Sequence, residues 1–263
     1  MMIKQIIDIV RDYIQSKQFI YDEDNYPIGW NKKNWEEVNS LFYGILKKFD
    51  PPEIIPDSML SDTIQDLKIR WGYWEYGCGA FCEKNEVYKE KVISNINYFT
   101  FNSYYGNIIR YLYQINMFKV SDDIIIPYSF IIKESDKINL LSSPEEWSIF
   151  KLYKNFFYGY LITSKKSISI ESEGSENISF FSNWLMSELY SKIGQNMVYA
   201  DTDSLYYIGD IKHPKYIMNN IFKNFDMPYQ IKTLNSFICF GKKKYIEIND
   251  GDIKLRGFPI IKL

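Results

Sequence analysis

The chain has 263 residues, of which 46% are hydrophobic and 18% aromatic, enough to bury a core and too apolar for a disordered protein. No apolar run approaches about 18 residues, and residues 1–10 are amphipathic and charged, so we predict neither a membrane span nor a signal peptide. A net charge of −2 lacks the basic excess of a free-standing DNA-binding protein, so contacts with nucleic acid would depend on local lysine clusters.

Cysteine and histidine usage limits the metal sites and catalytic mechanisms that the chain could have. The three cysteines are odd in number, and Cys78 and Cys82 lack the second pair that a zinc site needs. This usage predicts a reducing, intracellular setting such as the cytoplasm. His213 is the only histidine, which excludes mechanisms that need two.

The first 69 residues have the apolar spacing of helices, at residues 3–17, 32–49 and 58–69. From residue 70 the pattern changes to short β-prone runs. Residues 99–105 are strand-like, the chain is helix-like from residue 107, and the apolar run at residues 124–132 predicts another strand.

A helix is predicted to begin at Ser142-Ser143-Pro144-Glu145-Glu146 and to extend to about residue 160, because a hydroxyl cap, a proline at the first helical position and acids in the first turn occur in order. Lys151, Asn155 and Tyr158 share one face of it, at spacings i, i+4 and i+7. Ordinary amphipathicity also explains such a face. Another helix reaches Ile193, and a later hairpin turns at Asp250-Gly251.

Asp201 and Asp203 lie one residue apart between β-prone arms, and Ala-Asp-Thr-Asp-Ser has turn chemistry, so we predict a tight β-hairpin. Two carboxylates at a hairpin tip repel each other unless a cation lies between them. A hard divalent cation such as Mg²⁺ takes oxygen ligands. Two alternatives are a solvated turn rich in aspartate and a glycosyltransferase-like Asp-x-Asp site.

Three stretches of the sequence resemble motifs of family B DNA polymerases. Residues 199–204, Tyr-Ala-Asp-Thr-Asp-Ser, resemble the family's Tyr-Gly-Asp-Thr-Asp-Ser. Residues 151–159 follow the Lys-x3-Asn-Ser-x-Tyr-Gly pattern of motif B, with Phe156 in place of the serine. Residues 242–245, Lys-Lys-Lys-Tyr, resemble the family's Lys-Lys-x-Tyr element.

A fourth stretch, residues 100–107, resembles motif A, Asp-x-x-Ser-Leu-Tyr-Pro-Ser, but Thr100 stands in place of the aspartate. All four stretches occur in the family's order. The four stretches are most similar to the motifs of viral or protein-primed members of the family, and this resemblance suggests a gene of a virus or mobile element.

The resemblance implies an α+β fold. An antiparallel palm sheet backed by helices would carry the carboxylates, with a short helical fingers insertion and neither thumb nor exonuclease domain. The implied divisions are an amino-terminal helical segment, a first palm part with motif A, the fingers and a second palm part, at residues 1–69, 70–120, 121–165 and 166–263.

The resemblance also implies roles for individual residues. Asp201 and Asp203 would be the catalytic carboxylates and the ligands of Mg²⁺ or Mn²⁺ in a two-metal reaction on primer–template DNA and dNTP. Thr100 marks a degenerate motif A, because a hydroxyl is neutral, and the second metal ion should bind poorly. The resemblance implies that Lys151, Asn155, Tyr158 and Tyr105 bind the nucleotide. It also implies that Lys243, Lys244 and Tyr245 bind DNA.

Two functions stay open. The chain could be a DNA polymerase that performs template-directed nucleotidyl transfer and needs a protein partner for thumb and exonuclease functions. The alternative is a catalytically inactive, polymerase-derived protein that binds nucleic acid or serves in assembly, which Thr100 favours. Whether the isolated chain is an enzyme is open at this point.

Overall fold

The computed structural model describes residues 2–16, 80–162, 172–209, 216, 218–219 and 227–258. The described chain is α+β and divides into two compact units. The helical unit comprises residues 1–66 and 105–178, and the sheet unit comprises residues 67–104 and 179–263. None of the helices in the described ranges is long and apolar enough to cross a membrane.

The described part of the helical unit consists of helices and a short two-stranded ribbon. Helix α1 (Met2–Ser16) packs against α4 (Ser135–Leu141) and α5 (Pro144–Ile162). Arg11 Nε of α1 donates a 2.6 Å hydrogen bond to the buried carboxylate of Glu146. Helix α1 confirms the helix predicted at residues 3–17, whereas the predictions at 32–49 and 58–69 lie outside the described residues. The elements are α1 (Met2–Ser16), α2 (Tyr104–Gln114), α3 (Asp122–Lys133), α4 (Ser135–Leu141), α5 (Pro144–Ile162), β3 (Lys119–Val120) and β4 (Ser172–Glu173).

Helix α5 begins where the sequence predicts. Ser143 Oγ accepts a hydrogen bond from the Glu146 N–H at 3.3 Å, and the Glu146 carboxylate accepts one from the Ser143 N–H at 2.7 Å. This reciprocal pair is a capping box, which satisfies two backbone donors that a helix start leaves open. The prediction of the helix start is therefore confirmed.

The strand predicted at residues 124–132 is wrong, because these residues lie in helix α3. Ile125, Tyr128 and Ile132 are spaced three and four apart and are buried, which is the pattern of a helix face. Pro127 lies inside the helix and was the missed signal, because proline is excluded from the middle of a sheet.

The described part of the sheet unit has the strands β1 (Cys82–Lys84), β2 (Ile93–Phe101), β5 (Met197–Asp201), β6 (Ser204–Tyr207), β7 (Tyr229–Gly241), β8 (Lys244–Asn249) and β9 (Asp252–Arg256). They form a seven-stranded antiparallel sheet in the order β1-β5-β6-β2-β7-β8-β9. Helix α6 (Glu176–Ile193), mostly within this unit, backs the sheet: the Tyr104 hydroxyl donates to the Ser182 carbonyl at 2.6 Å, and the rings of Phe81 and Tyr190 meet edge to face.

Aromatic rings fill one face of this sheet. Tyr206 stacks on Phe237 with ring centres 4.2 Å apart, and Tyr98, Tyr199 and Tyr245 pack around it at 5.0, 5.8 and 5.7 Å. We call these five residues the aromatic cluster. Because its rings come from five neighbouring strands, the cluster fixes the position of the β5–β6 hairpin on the sheet.

Candidate active site

Asp201 and Asp203 lie at the tip of the β5–β6 hairpin, which confirms the predicted turn. Thr202 has a φ of 58°, in the left-handed region that β-branched residues rarely adopt. The Thr202 N–H donates to the Phe81 carbonyl and the Asp203 N–H to the Asp201 carbonyl, both at 2.7 Å. These bonds hold a turn whose backbone strain costs about 1–3 kcal/mol.

The sheet register places Thr100 beside this acid pair. Thr100 of β2 is opposite Ser204 of β6, which in turn is opposite Asp201 of β5. Residues directly opposite each other in a sheet project from the same face, so the three side chains form a row. The Ser204 Oγ lies 3.1 Å from both Thr100 Oγ1 and Asp203 Oδ1. Position 100 therefore adds a neutral hydroxyl, and no charge, to the surroundings of the acid pair.

Burial raises the pKa of the Asp203 carboxyl above its ordinary value, and the nearby Asp201 carboxylate raises it further. A hydrogen bond from Ser204 and the Lys243 ammonium oppose this rise. The carboxylate of Asp203 is thus held in surroundings that disfavour its charge, and a bound cation would relieve that cost.

Lys243 provides one such cation. Its Nζ contacts Asp201 Oδ1 and donates to Thr202 Oγ1 at 2.7 Å. Its backbone has a φ of 59°, and its N–H donates to the Tyr199 hydroxyl at 2.8 Å. Gly257 lies so close to the Lys243 carbonyl oxygen that a Cβ there would overlap it. The β7–β8 turn is therefore held from two sides while its lysine reaches the acid pair.

A cleft of about 590 Å³ opens over the acid pair. Strand β9 contributes two cations to it, Lys254 and Arg256. Lys254 Nζ lies 3.2 and 3.1 Å from the two carboxylate oxygens of the buried Glu247, which also accepts a 2.6 Å bond from the Tyr206 hydroxyl. Within the described ranges the Arg256 guanidinium has no ion-pair partner. Among the described residues, the lining is Tyr98, Asp201, Thr202, Asp203, Ser204, Lys243, Tyr245, Lys254, Arg256 and Gly257.

Sequence reasoning missed Lys254 and Arg256. Their spacing of two after the Asp250-Gly251 turn was the available signal, because it places both side chains on one face of the predicted hairpin strand. The turn itself is confirmed, with φ of 49° at Asp250 and 90° at Gly251.

The predicted DNA-binding residues do not all lie on the same side of the sheet. Lys243 and Tyr245 line the cleft with the acid pair. Lys244 lies between them in sequence, and strand alternation directs its side chain to the other face, where Nζ is 5.0 Å from the centre of the Phe258 ring. The structure thus brings two of the three residues to the acid pair.

The predicted nucleotide-binding residues lie together in the helical unit. The rings of Tyr105 and Tyr158 stack with centres 3.8 Å apart and planes 17° apart. Lys151 and Asn155 lie on the same helix α5 as Tyr158, and Lys151 Nζ is 5.9 Å from the centre of the Trp147 ring. The structure therefore brings Tyr105 and Tyr158, which lie in two separate predicted motifs, into direct ring contact.

Comparison with solved structures shows what the fold is similar to. The ternary complex of phi29 DNA polymerase with primer–template DNA and incoming nucleotides matches with a TM-score of 0.52 and 12% identity, over 96% of this chain and 71% of that one. The fold is DNA-polymerase-like. No family model matches the chain, and neither does any curated protein.

Two further polymerase structures match more loosely. Phi29 DNA polymerase with single-stranded DNA has a TM-score of 0.47 and 14% identity, over 97% of this chain and 71% of that one. The family B DNA polymerase of the hyperthermophilic archaeon Pyrobaculum calidifontis has a TM-score of 0.44 and 18% identity, over 70% of this chain. The chain spans only 29% of the length of that archaeal polymerase.

The carboxylates of Asp201 and Asp203 are ligands of the kind that a divalent cation takes, but they are too few for two ions. Among the described residues, no group of three or more His, Cys, Asp or Glu side chains could hold a metal ion. Thr100 adds no charge, and the Lys243 ammonium contacts one oxygen of Asp201. Asp201 and Asp203 would hold a single ion, which would supply positive charge to neutralise them.

Proposed function

We propose that this chain is a DNA-polymerase-related protein that binds primer–template DNA in the cleft above the acid pair. Arg256 carries the proposal, because its guanidinium lines the cleft without an ion-pair partner among the described residues. Guanidinium groups bind phosphate oxygens in a planar fork, and phosphate contacts supply most of the affinity that does not depend on sequence.

The other cations of the cleft support the same function. Lys243 and Lys254 also line it, and each is paired with a carboxylate, Asp201 or Glu247. These pairs neutralise acids that would otherwise repel a phosphate. Among the described cations of the cleft, Arg256 is then the one whose charge remains available to the nucleic-acid backbone.

A salt series tests this proposal. Fluorescence anisotropy of a labelled primer–template duplex, measured in EDTA, would give the affinity of the wild type and of Arg256→Ala. We expect weaker binding for Arg256→Ala and a log–log salt slope reduced by about one, as for the loss of one phosphate contact.

Lys244→Ala is the matched control. It removes one positive charge from the neighbouring strand, but its side chain lies on the face away from the cleft. We expect Lys244→Ala to change affinity and slope less than Arg256→Ala does. Equal losses, or no binding at low salt by the wild type, would refute the cleft as the DNA site.

A second candidate function is template-directed nucleotidyl transfer. It is favoured by the position of Asp201 and Asp203, which line the same cleft as the cations. Thr100 predicts a turnover lower by orders of magnitude than three carboxylates would support. Single-nucleotide extension of a primed template with Mg²⁺ and Mn²⁺ tests it, and Asp201→Ala/Asp203→Ala must abolish any extension seen.

Other parts of the proposal come from the sequence resemblance. Roles in nucleotide binding for Lys151, Asn155, Tyr158 and Tyr105 stay predictions, with the stacked Tyr105–Tyr158 pair in their support. A protein partner with thumb and exonuclease functions, the choice between Mg²⁺ and Mn²⁺, and a virus- or mobile-element gene also stay predictions.

A further inference from the structure

The acid pair already has a cation in contact with it, because Lys243 Nζ reaches Asp201 Oδ1 and Thr202 Oγ1. We propose that the Lys243 ammonium takes the place of one of the two metal ions that the fold implies. Asp201 and Asp203 then hold a single divalent cation. This inference rests on the polymerase-related site proposed above and assigns Lys243 a role other than contact with DNA.

Charge balance supports the exchange. Two carboxylates, one divalent ion and one ammonium have the same net charge as three carboxylates with two divalent ions. A hydroxyl at Thr100 instead of a carboxylate leaves one negative charge fewer in the row across β2, β6 and β5. The ammonium of Lys243 instead of a divalent ion leaves one positive charge fewer. The two departures from the family pattern therefore compensate each other.

The structure also shows why Lys243 is suited to the position. Its backbone is fixed by the Tyr199 hydroxyl and by Gly257, so its side chain starts from a defined point next to the hairpin. An ammonium is a compact charge with three donors, closer to a metal ion in shape than a planar guanidinium is. Neighbouring Lys242 does not share this role, because its Nζ pairs with Glu83 at 2.9 Å.

Metal stoichiometry without nucleic acid tests the inference. Mn²⁺ titration followed by electron paramagnetic resonance of the free ion would count the bound ions. We expect one ion per wild-type chain and two for Thr100→Asp/Lys243→Gln, which restores the third carboxylate and removes the competing charge.

The single variant Lys243→Gln should bind its one ion about tenfold more tightly, because a positive charge next to the ion is gone. Lys242→Gln removes the same charge one residue away and should stay within about twofold of the wild type. Lys243→Met, whose apolar stem has a similar length, replaces Lys243→Gln if the latter does not fold as judged by circular dichroism.

Two bound ions in the wild type, no bound ion at millimolar Mn²⁺, or equal affinities for Lys243→Gln and Lys242→Gln would each overturn the inference. DNA binding is measured separately, in EDTA. A chain that binds one Mn²⁺ as expected but no DNA would refute the proposed function while leaving the Lys243 site in place.

Discussion

Thr100→Asp tests the electrostatics of the site through stability. The Ser204 Oγ bridges position 100 and Asp203 with two contacts of 3.1 Å, so a new carboxylate would lie about 5 Å from that of Asp203. At an effective dielectric constant of about 20, two negative charges at that separation repel by about 3 kcal/mol. Without divalent ions, we therefore expect the free energy of unfolding to fall by about 2–3 kcal/mol.

The assay is thermal unfolding in EDTA and again with millimolar Mg²⁺. The loss corresponds to a melting temperature lower by roughly 4–12 °C for a protein of this size class. Mg²⁺ should restore most of it, because an ion that binds only the folded state stabilises that state. Thr100→Asn is the control for side-chain shape without charge. Equal melting of the Asp and Asn variants in EDTA, or no recovery of the Asp variant with Mg²⁺, would refute this reasoning.

Two further substitutions test the hairpin and the turn that meets it. The pKa of Asp203 is raised in the folded state, so the folded state binds this proton more tightly than the unfolded chain does. The contribution of Asp203 to the free energy of unfolding therefore falls as pH rises above the pKa of an aspartate in the unfolded chain, about 3.9. Asp203→Asn should therefore be more stable than wild type in urea unfolding at pH 7 in EDTA and lose that advantage near pH 4; an equal difference at both pH values would contradict it. Gly257→Ala should cost about 1–3 kcal/mol and weaken Mn²⁺ binding, because its Cβ would press on the Lys243 carbonyl at a left-handed backbone position. Gly251→Ala, also left-handed but in open space, should cost less and leave Mn²⁺ binding unchanged; equal effects on the metal would exclude the Lys243 contact as the cause.

Local chemistry made some of the structure predictable. The Asp201–Asp203 hairpin and the Ser143 cap follow from turn and cap residues within a few positions, and both are confirmed. The run at residues 124–132 is ambiguous, because isoleucine suits a buried helix as well as a strand, and Pro127 argues against a strand. The sequence pattern therefore predicts structure correctly where residues a few positions apart in the chain decide it.

The contacts that define the site depend on long-range register. Lys243 reaches Asp201 across 42 positions of sequence, and Thr100 meets Ser204 across 104. The placement of Arg256 in the cleft requires the pairing of β7, β8 and β9 to be known. No periodicity in the sequence specifies these pairings, so the resemblance could indicate the residues but not the Lys243–Asp201 contact.

The aromatic cluster also has a consequence for behaviour in alkali. Burial raises the pKa of Tyr245 to about 12 and raises those of Tyr199 and Tyr206 still further, so these phenols keep their protons while the unfolded chain would lose them. The raised pKa of each tyrosine therefore lowers the free energy of unfolding as pH rises above about 10, where tyrosines of the unfolded chain ionise. Ultraviolet absorbance of phenolate should thus show these tyrosines ionising together, at the pH where the sheet collapses, and later than the tyrosines exposed to solvent.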